Sequence, residues 1–142
     1  MQLREKVVAL TGAGSGIGRA LAVGLAQAGA RIALADRDET GLAETARLVA
    51  ASGGHHNATQ HIVDVSDEAA VRRFAAQVVE GYGTVDIAIN NAGVALFGTV
   101  AELTSDEIAW LMGVNFWGVV YGPSVASASR CAPSCAVRTC GS

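Results

Sequence analysis

A dense glycine turn between a short apolar run and a helical pattern constrains this chain more than any other feature. Lys6-Val7-Val8-Ala9-Leu10 leads directly into Thr11-Gly12-Ala13-Gly14-Ser15-Gly16-Ile17-Gly18. Glycines at such a junction let backbone N–H groups approach a phosphate closely. The helix that follows offers its positive end to the same anion. The spacing discriminates between motifs. A G-x-G-x-x-G turn starting at Gly12 needs glycine at position 17, where Ile17 stands, and a P-loop needs a Gly-Lys pair that is absent. What fits is T-G-x-x-x-G-x-G, at Thr11, Gly12, Gly16 and Gly18. Taken alone, such a cluster also reads as a purely structural turn.

The rest of the chain supplies the context. Lys6–Leu10 reads as a buried strand, Ile17–Ala28 as a helix closed by Gly29, and Arg31–Ala35 as a second strand. A helix opens at Asp38 or Glu39 and runs to about Ala51, with Leu42, Ala46 and Val49 on one face and Gly53-Gly54 at its end. Gln60–Asp64 is a third strand. Ser66 is placed to cap a helix with the stripe Val71, Phe74, Ala75, Val78 and Val79. Gly81-Tyr82-Gly83 breaks that helix before a fourth strand, Val85–Ile89. Thr104-Ser105-Asp106-Glu107 predicts a capping box for a last helix reaching about Val120. Apolar strands alternating with helices predict an α/β fold, a doubly wound parallel sheet covered on both faces. Right-handed crossovers give the strand order 3-2-1-4. Ligand is then expected at the carboxyl ends of strands one and four, where the order reverses.

At 142 residues the chain is one domain, long enough to bury a real core. A net charge of −3 makes no electrostatic case for nucleic acid or an anionic membrane. Met1-Gln2-Leu3-Arg4-Glu5-Lys6 does not resemble a signal peptide, and no run of about 18 apolar residues appears. These features predict a soluble, cytoplasmic protein that handles a small molecule.

Further residues stand at the ends of the predicted strands. Asp36 ends the second, where a carboxylate can accept both hydroxyls of an adenosine ribose and repel a 2′-phosphate. A helix-capping role is the alternative for Asp36, although Asp38 could cap instead. Arg37 points the other way, since a guanidinium there could bind the 2′-phosphate of NADP. Position 15 is Ser15 rather than a base, so that phosphate lacks a second cation, and NAD is favoured over NADP. Asp64-Val65 closes the third strand and Asn90-Asn91-Ala92-Gly93 follows the fourth. Asparagines at a strand end can also serve only the neighbouring backbone. In the last helix Ile108, Leu111, Met112, Phe116 and Val119 form an apolar stripe with Asn115 inside it. A buried amide there must bond backbone or ordered water.

In this order, these motifs resemble the short-chain dehydrogenase/reductase family over residues 5 to 122. The resemblance implies a truncated Rossmann-type sheet and a nicotinamide cofactor. Hydride would pass between the nicotinamide and an alcohol or carbonyl substrate. It implies that Thr11, Gly12, Ser15, Gly16, Ile17 and Gly18 form the pyrophosphate turn, with Asp36 and Arg37 at the ribose and Asp64-Val65 at the adenine. The N-N-A-G turn at Asn90, Asn91, Ala92 and Gly93 would line the cofactor and steady the sheet. Asn115 would help carry a water-mediated proton relay.

The chain departs from that pattern after Gly122. The family's chemistry needs a serine that polarises the carbonyl and a tyrosine four residues before a lysine, which lowers the tyrosine's pKa. Lys6 is the only lysine, Tyr82 is followed four residues on by Asp86, and Tyr121 by Val125. Ser124, Ser127, Ser129 and Ser134 have no matching tyrosine and lysine after them. Residues 123–142 hold every cysteine and proline of the chain and no Leu, Ile, Met, aromatic or acidic residue. They read as a tail foreign to the fold of residues 1–122, as a reading-frame shift near Gly122 would leave. Cys131, Cys135 and Cys140 match no C-x-x-C spacing, and His55, His56 and His61 read as a solvated loop, so no metal site is expected. An uncovered fourth-strand edge and last-helix stripe predict self-association.

Overall fold

The structure, a computed structural model, describes residues 2–53 and 58–128. His55, His56, the three cysteines and the segment from Ser129 onward lie outside the described residues. The chain begins β1 (Val7–Thr11), α1 (Gly16–Gln27), β2 (Arg31–Asp36), α2 (Glu39–Ala51), β3 (Thr59–Ile62), α3 (Glu68–Tyr82) and β4 (Ile87–Ile89). A helical path then runs through α4 (Ser105–Met112), a π-helical turn (Gly113–Trp117), α5 (Gly118–Tyr121) and α6 (Pro123–Ala128). The strands form one parallel sheet in the order β3-β2-β1-β4. The expected α/β class and topology are therefore those observed.

Strand alternation builds two cores, one on each face of the sheet. Val8, Leu10, Ile32 and Leu34 face α1 and α2 and meet Ala22, Ala26, Leu42 and Val49. Val7, Ala9, Ala33 and Ala35 face the other way, toward Val71, Phe74 and Val78 of α3 and toward Val114 and Val125. Strands covered on both faces need apolar residues at every position, which is why β1 and β2 read as unbroken apolar runs. Small residues at Gly18, Ala22 and Ala26 form the buried side of α1 and bring that helix close to the sheet.

Several boundaries differ from the sequence reading, each for a local reason. The third strand pairs over Thr59–Ile62 rather than Gln60–Asp64. Val63 still donates to Asp36 O at 2.9 Å, and the chain then leaves the sheet, carrying Asp64 and Val65 to the cleft. The fourth strand begins at Ile87 rather than Val85. There the Asp86 carboxylate accepts from Val7 N at 2.8 Å, in the position a ladder carbonyl would otherwise fill. Asp67, not Ser66, caps α3, accepting from Ala69 N at 2.9 Å, while Ser66 Oγ donates to Asp64 at 2.6 Å. That helix continues through Gly81 and stops at Gly83, whose φ of 81° is left-handed. The Tyr82 hydroxyl, donating to Ile32 O at 3.0 Å, ties the last turn to β2. His61 belongs to β3 rather than to a loop and packs its ring against Phe74 at 5.0 Å.

The capping box of α4 is present as read: Glu107 N donates to Thr104 Oγ1, and the Glu107 carboxylate accepts from Thr104 N. Donation from Thr104 N, and after it from the Thr104 hydroxyl at 2.9 Å, holds the Glu107 carboxyl below its ordinary range. The π-helical turn was not legible. It inserts one residue into the path and so advances the helix phase by about 100°. After it, Gly118 lies against Val65 and Gly122 against the Asn90 amide, approaches that a side chain would block. Pro123 opens α6 at a helix start, where its missing N–H costs nothing. Val125 is buried against the α3 side of the sheet, so packing continues past the change of composition at Gly122. Among the described residues no helix is long and apolar enough to cross a membrane.

Candidate functional site

A cleft of about 430 Å³ opens at the carboxyl ends of the strands, at the point where the order reverses. The segments at the ends of all four strands contribute to it. Gly12, Ser15, Gly16, Ile17 and Gly18 come from the turn after β1, and Asp36 and Arg37 from the end of β2. Asp64 and Val65 follow β3, and Asn91, Ala92 and Gly93 follow β4. Thr11, Asn90 and Asn115 are not among the lining residues. Asp38, Val63, Val94 and Val114 also line the cleft and were not singled out by sequence.

The glycine turn is shaped for close approach. Gly12 and Gly16 have φ of 67° and 52°, values that glycine adopts without steric penalty. A Cβ at Gly12 would come within 2.7 Å of Ala92 Cα, and one at Gly18 would overlap the Gly12 carbonyl oxygen. Ser15 occupies the N-cap of α1 without a side-chain cap bond, and the first turn carries no acid. The opening N–H groups of a helix have no partner within it, so those of α1 remain available to an anion. Ile17 is 75% exposed, an apolar side chain held at the mouth rather than in the core.

The turn is braced from both sides. Thr11 Oγ1 accepts from Asn91 N at 3.1 Å and Ala92 N at 3.2 Å. Asn91 Nδ2 in return donates to Thr11 O at 3.2 Å and Gly12 O at 3.1 Å. These bonds join the loops after β1 and β4. On the other side Asp36 accepts from Gly14 N at 2.9 Å and, through its second oxygen, from Asp38 N at 3.1 Å. A carboxylate has about four acceptor sites, so two such bonds leave capacity for a ligand. The helix-cap alternative for Asp36 is excluded, because Asp38 holds the N-cap position of α2 and makes no side-chain cap bond there.

A deeper brace was missed in the sequence. Arg19 donates to the carbonyl of Gly14, and its Nε to the Thr45 hydroxyl at 3.0 Å. Thr45 is fully buried, with its hydroxyl 2.8 Å from Ala13 O and 3.0 Å from Gly41 O. Gly41 admits this contact, since a Cβ there would come within 2.7 Å of Gly14 O. The only available signal was an arginine directly after the glycine run, and nothing in the sequence paired it with Thr45.

Asn115 corrects one expectation and meets another. It is exposed rather than buried, as are Ile108, Met112, Phe116 and Val119 of the same stripe, because nothing among the described residues covers that face. Both amide atoms nonetheless bond backbone: Val94 N donates to Oδ1 and Nδ2 donates to Val94 O, each at 2.8 Å. This reciprocal pair fixes the loop after β4 to the helical path. The remaining titratable groups of interest lie elsewhere. Lys6 pairs with Asp86 at 3.0 Å at the amino end of the sheet, a strand's length of roughly 16 Å from the cleft. Tyr82 is bonded to β2, and Tyr121 stacks near Trp117 with ring centroids 6.0 Å apart.

Comparison with known proteins agrees with this geometry. A family model described as short chain dehydrogenase matches residues 6–129. The chain is 45% identical over 117 residues to SadH of Mycobacterium tuberculosis, covering 82% of this chain and 42% of that one. It is 40% identical over 120 residues to the short chain dehydrogenase/reductase astE of Aspergillus oryzae, covering 84% and 46%. A short chain dehydrogenase/reductase of Burkholderia phymatum, solved in complex with NAD, superposes with a TM-score of 0.80 at 39% identity, over 88% of this chain and 44% of that one. The chain thus spans less than half the length of these relatives. Its glycine turn, sheet order and sequence similarity place it in the short-chain dehydrogenase family of oxidoreductases.

Proposed function

We propose that the cleft binds a nicotinamide adenine dinucleotide, NAD in preference to NADP, and that these 142 residues act alone as a cofactor-binding unit rather than a working dehydrogenase. The uncapped, acid-free start of α1 beside a glycine cradle carries the reading. Gly12, Gly16 and Gly18 would hold the pyrophosphate, Asp36 the adenosine ribose, and Asp64 with Val65 the adenine. Ala92 and Gly93 would border the nicotinamide side. When bound, the nicotinamide ring supplies the hydride donor or acceptor for an alcohol or carbonyl substrate. Asn115 positions the loop at Val94, and its Oδ1 keeps a second lone pair that can orient a water. A proton must also leave or reach the substrate oxygen. The only lysine, Lys6, pairs with Asp86, the Tyr82 hydroxyl bonds β2, and neither these nor Tyr121 line the cleft.

Calorimetric titration tests the cofactor reading. NADH is expected to bind more tightly than NADPH, and Asp36→Ala to narrow the gap. The mutation removes both repulsion of the 2′-phosphate and ribose hydrogen bonds worth about 1.5–3 kcal/mol each. Tighter binding of NADPH by the unaltered chain would reverse the assignment. Steady NAD reduction dependent on secondary alcohols, after contaminating dehydrogenases are removed, would overturn the non-catalytic part.

We also propose that the outer face of α4 and α5 pairs with a second copy. Ile108, Met112, Phe116, Val119 and Val120 are exposed there, and no charged residue occurs from Ile108 to Ala128. Two such faces can therefore meet without burying an unpaired charge. Sedimentation of reduced protein should show a dimer that Phe116→Glu dissociates. A compact monomer at tens of micromolar would refute it.

A further inference from the structure

Trp110 of α4 reaches across to the end of β2, where its ring lies under the Arg37 guanidinium at 5.9 Å from Cζ to the centroid. Arg37 lines the cleft beside Asp36, whereas Trp110 does not. Among the described residues Arg37 makes no hydrogen bond or ion pair, so this ring is the contact that holds its guanidinium. Arg37 is also the one cationic side chain in the lining of the cleft. Its side chain is long and exposed, and it has two chemically favourable places to go. One is the π face of an indole, the best aromatic partner for a cation. The other is a phosphate on the ribose that Asp36 would hold, where a guanidinium can make charge-assisted bonds.

We infer that Trp110 is a positioning residue for cofactor selection: by holding Arg37 on its ring it withholds the guanidinium from a 2′-phosphate and so reinforces the preference for NAD over NADP. The inference rests on the cofactor reading above. It assigns to α4, a helix outside the nucleotide turns, a part in discrimination that Asp36 does not play alone. The cation–π contact is half in solvent, with Trp110 37% exposed, so its expected effect is modest.

The test is calorimetric titration of NADH and NADPH against the unaltered chain, Trp110→Ala, Trp110→Phe, Arg37→Ala and the double variant Trp110→Ala/Arg37→Ala. Releasing a cation–π contact at an exposed site should tighten NADPH by about two- to fivefold in Trp110→Ala, with NADH changed less than about twofold. Trp110→Phe, which keeps an aromatic face, should bind like the unaltered chain. In the Arg37→Ala background the Trp110 substitution should change neither affinity. Arg37→Ala alone should then weaken NADPH about two- to fivefold less than the same change made in Trp110→Ala. An NADPH-to-NADH ratio unchanged by Trp110→Ala, or equal weakening of both cofactors, would overturn the inference while leaving the cofactor reading intact. If Trp110→Ala fails to fold, Trp110→Leu, which keeps apolar bulk without an aromatic face, takes its place, and an unchanged NADPH-to-NADH ratio there would overturn the inference too. Failure of the unaltered chain to bind either cofactor would overturn both readings.

Discussion

The two flanks of β1 differ sharply although both are apolar in sequence. On one side β1 pairs with β2 over five residues, and nearly every position of both strands is buried beneath α1, α2 and α3. On the other it pairs with β4 over three residues, all only half-buried, and the α4 that follows has no buried residue at all. Phe74 on α3 is 1% exposed and Phe116 beyond α4 is 49% exposed. The same side chain is core in one place and surface in the other. Apolar character therefore sets what a segment can bury against, and a neighbour decides whether it does. The cleft lies along this seam, with one wall locked by Asp36, Arg19 and Thr45 and the other tied by Thr11, Asn91 and Asn115.

The strongest way to break the well-packed flank is at Gly18. Alanine there meets a backbone oxygen that cannot step aside, so Gly18→Ala should cost on the order of 5 kcal/mol or prevent folding, and abolish NADH binding. Gly24→Ala in the same helix has open space and should instead stabilise by about 0.5–1 kcal/mol. Urea denaturation of the pair measures both. Phe74→Ala should cost about 3–5 kcal/mol, whereas Phe116→Ala should stay within about 0.5 kcal/mol in a monomer. Equal costs would mean that the α4 flank is covered after all.

A smaller effect lies on the β4 flank. Asp86 accepts from Val7 N and pairs with Lys6, and these contacts, the backbone bond first, hold its carboxyl below the ordinary 3.8. Because the folded-state value is the lower one, the stabilisation is fully present above the unfolded value. It is lost as pH falls through the folded value. Asp86→Asn should cost about 1 kcal/mol near neutrality and flatten the acid limb of a plot of urea midpoint against pH. An unchanged acid limb would show that the bond contributes nothing to stability.

Much of the site was legible because its demands are local. A T-G-x-x-x-G-x-G turn after a strand restricts backbone conformation, and Asp36, Asp64 and the N-N-A-G turn fall at strand ends that parallel topology brings to one side. The capping box at Thr104 and Glu107 is likewise local. The π-helical turn was not legible, since Gly113 to Trp117 continue the same periodicity that an α-helix shows. Asn115 reads as part of a buried stripe, whereas in the structure Ile108, Met112, Phe116 and Val119 of that stripe are exposed along with it. The Arg19–Thr45 brace was hidden because it joins positions 26 residues apart across two helices.

Sequence alone carried the alternation of strands and helices, the 3-2-1-4 order and the place of the glycine turn after β1. Strand period, helix period and glycine geometry act within a few residues, and chain handedness then leaves one economical topology. Tertiary structure alone decided which apolar faces are covered, where Asp86 replaces a ladder carbonyl, and that Trp110 meets Arg37 beside the cleft. These depend on which surfaces arrive opposite one another after folding. A residue's own chemistry states what it would accept as a neighbour, but only the packed chain supplies one.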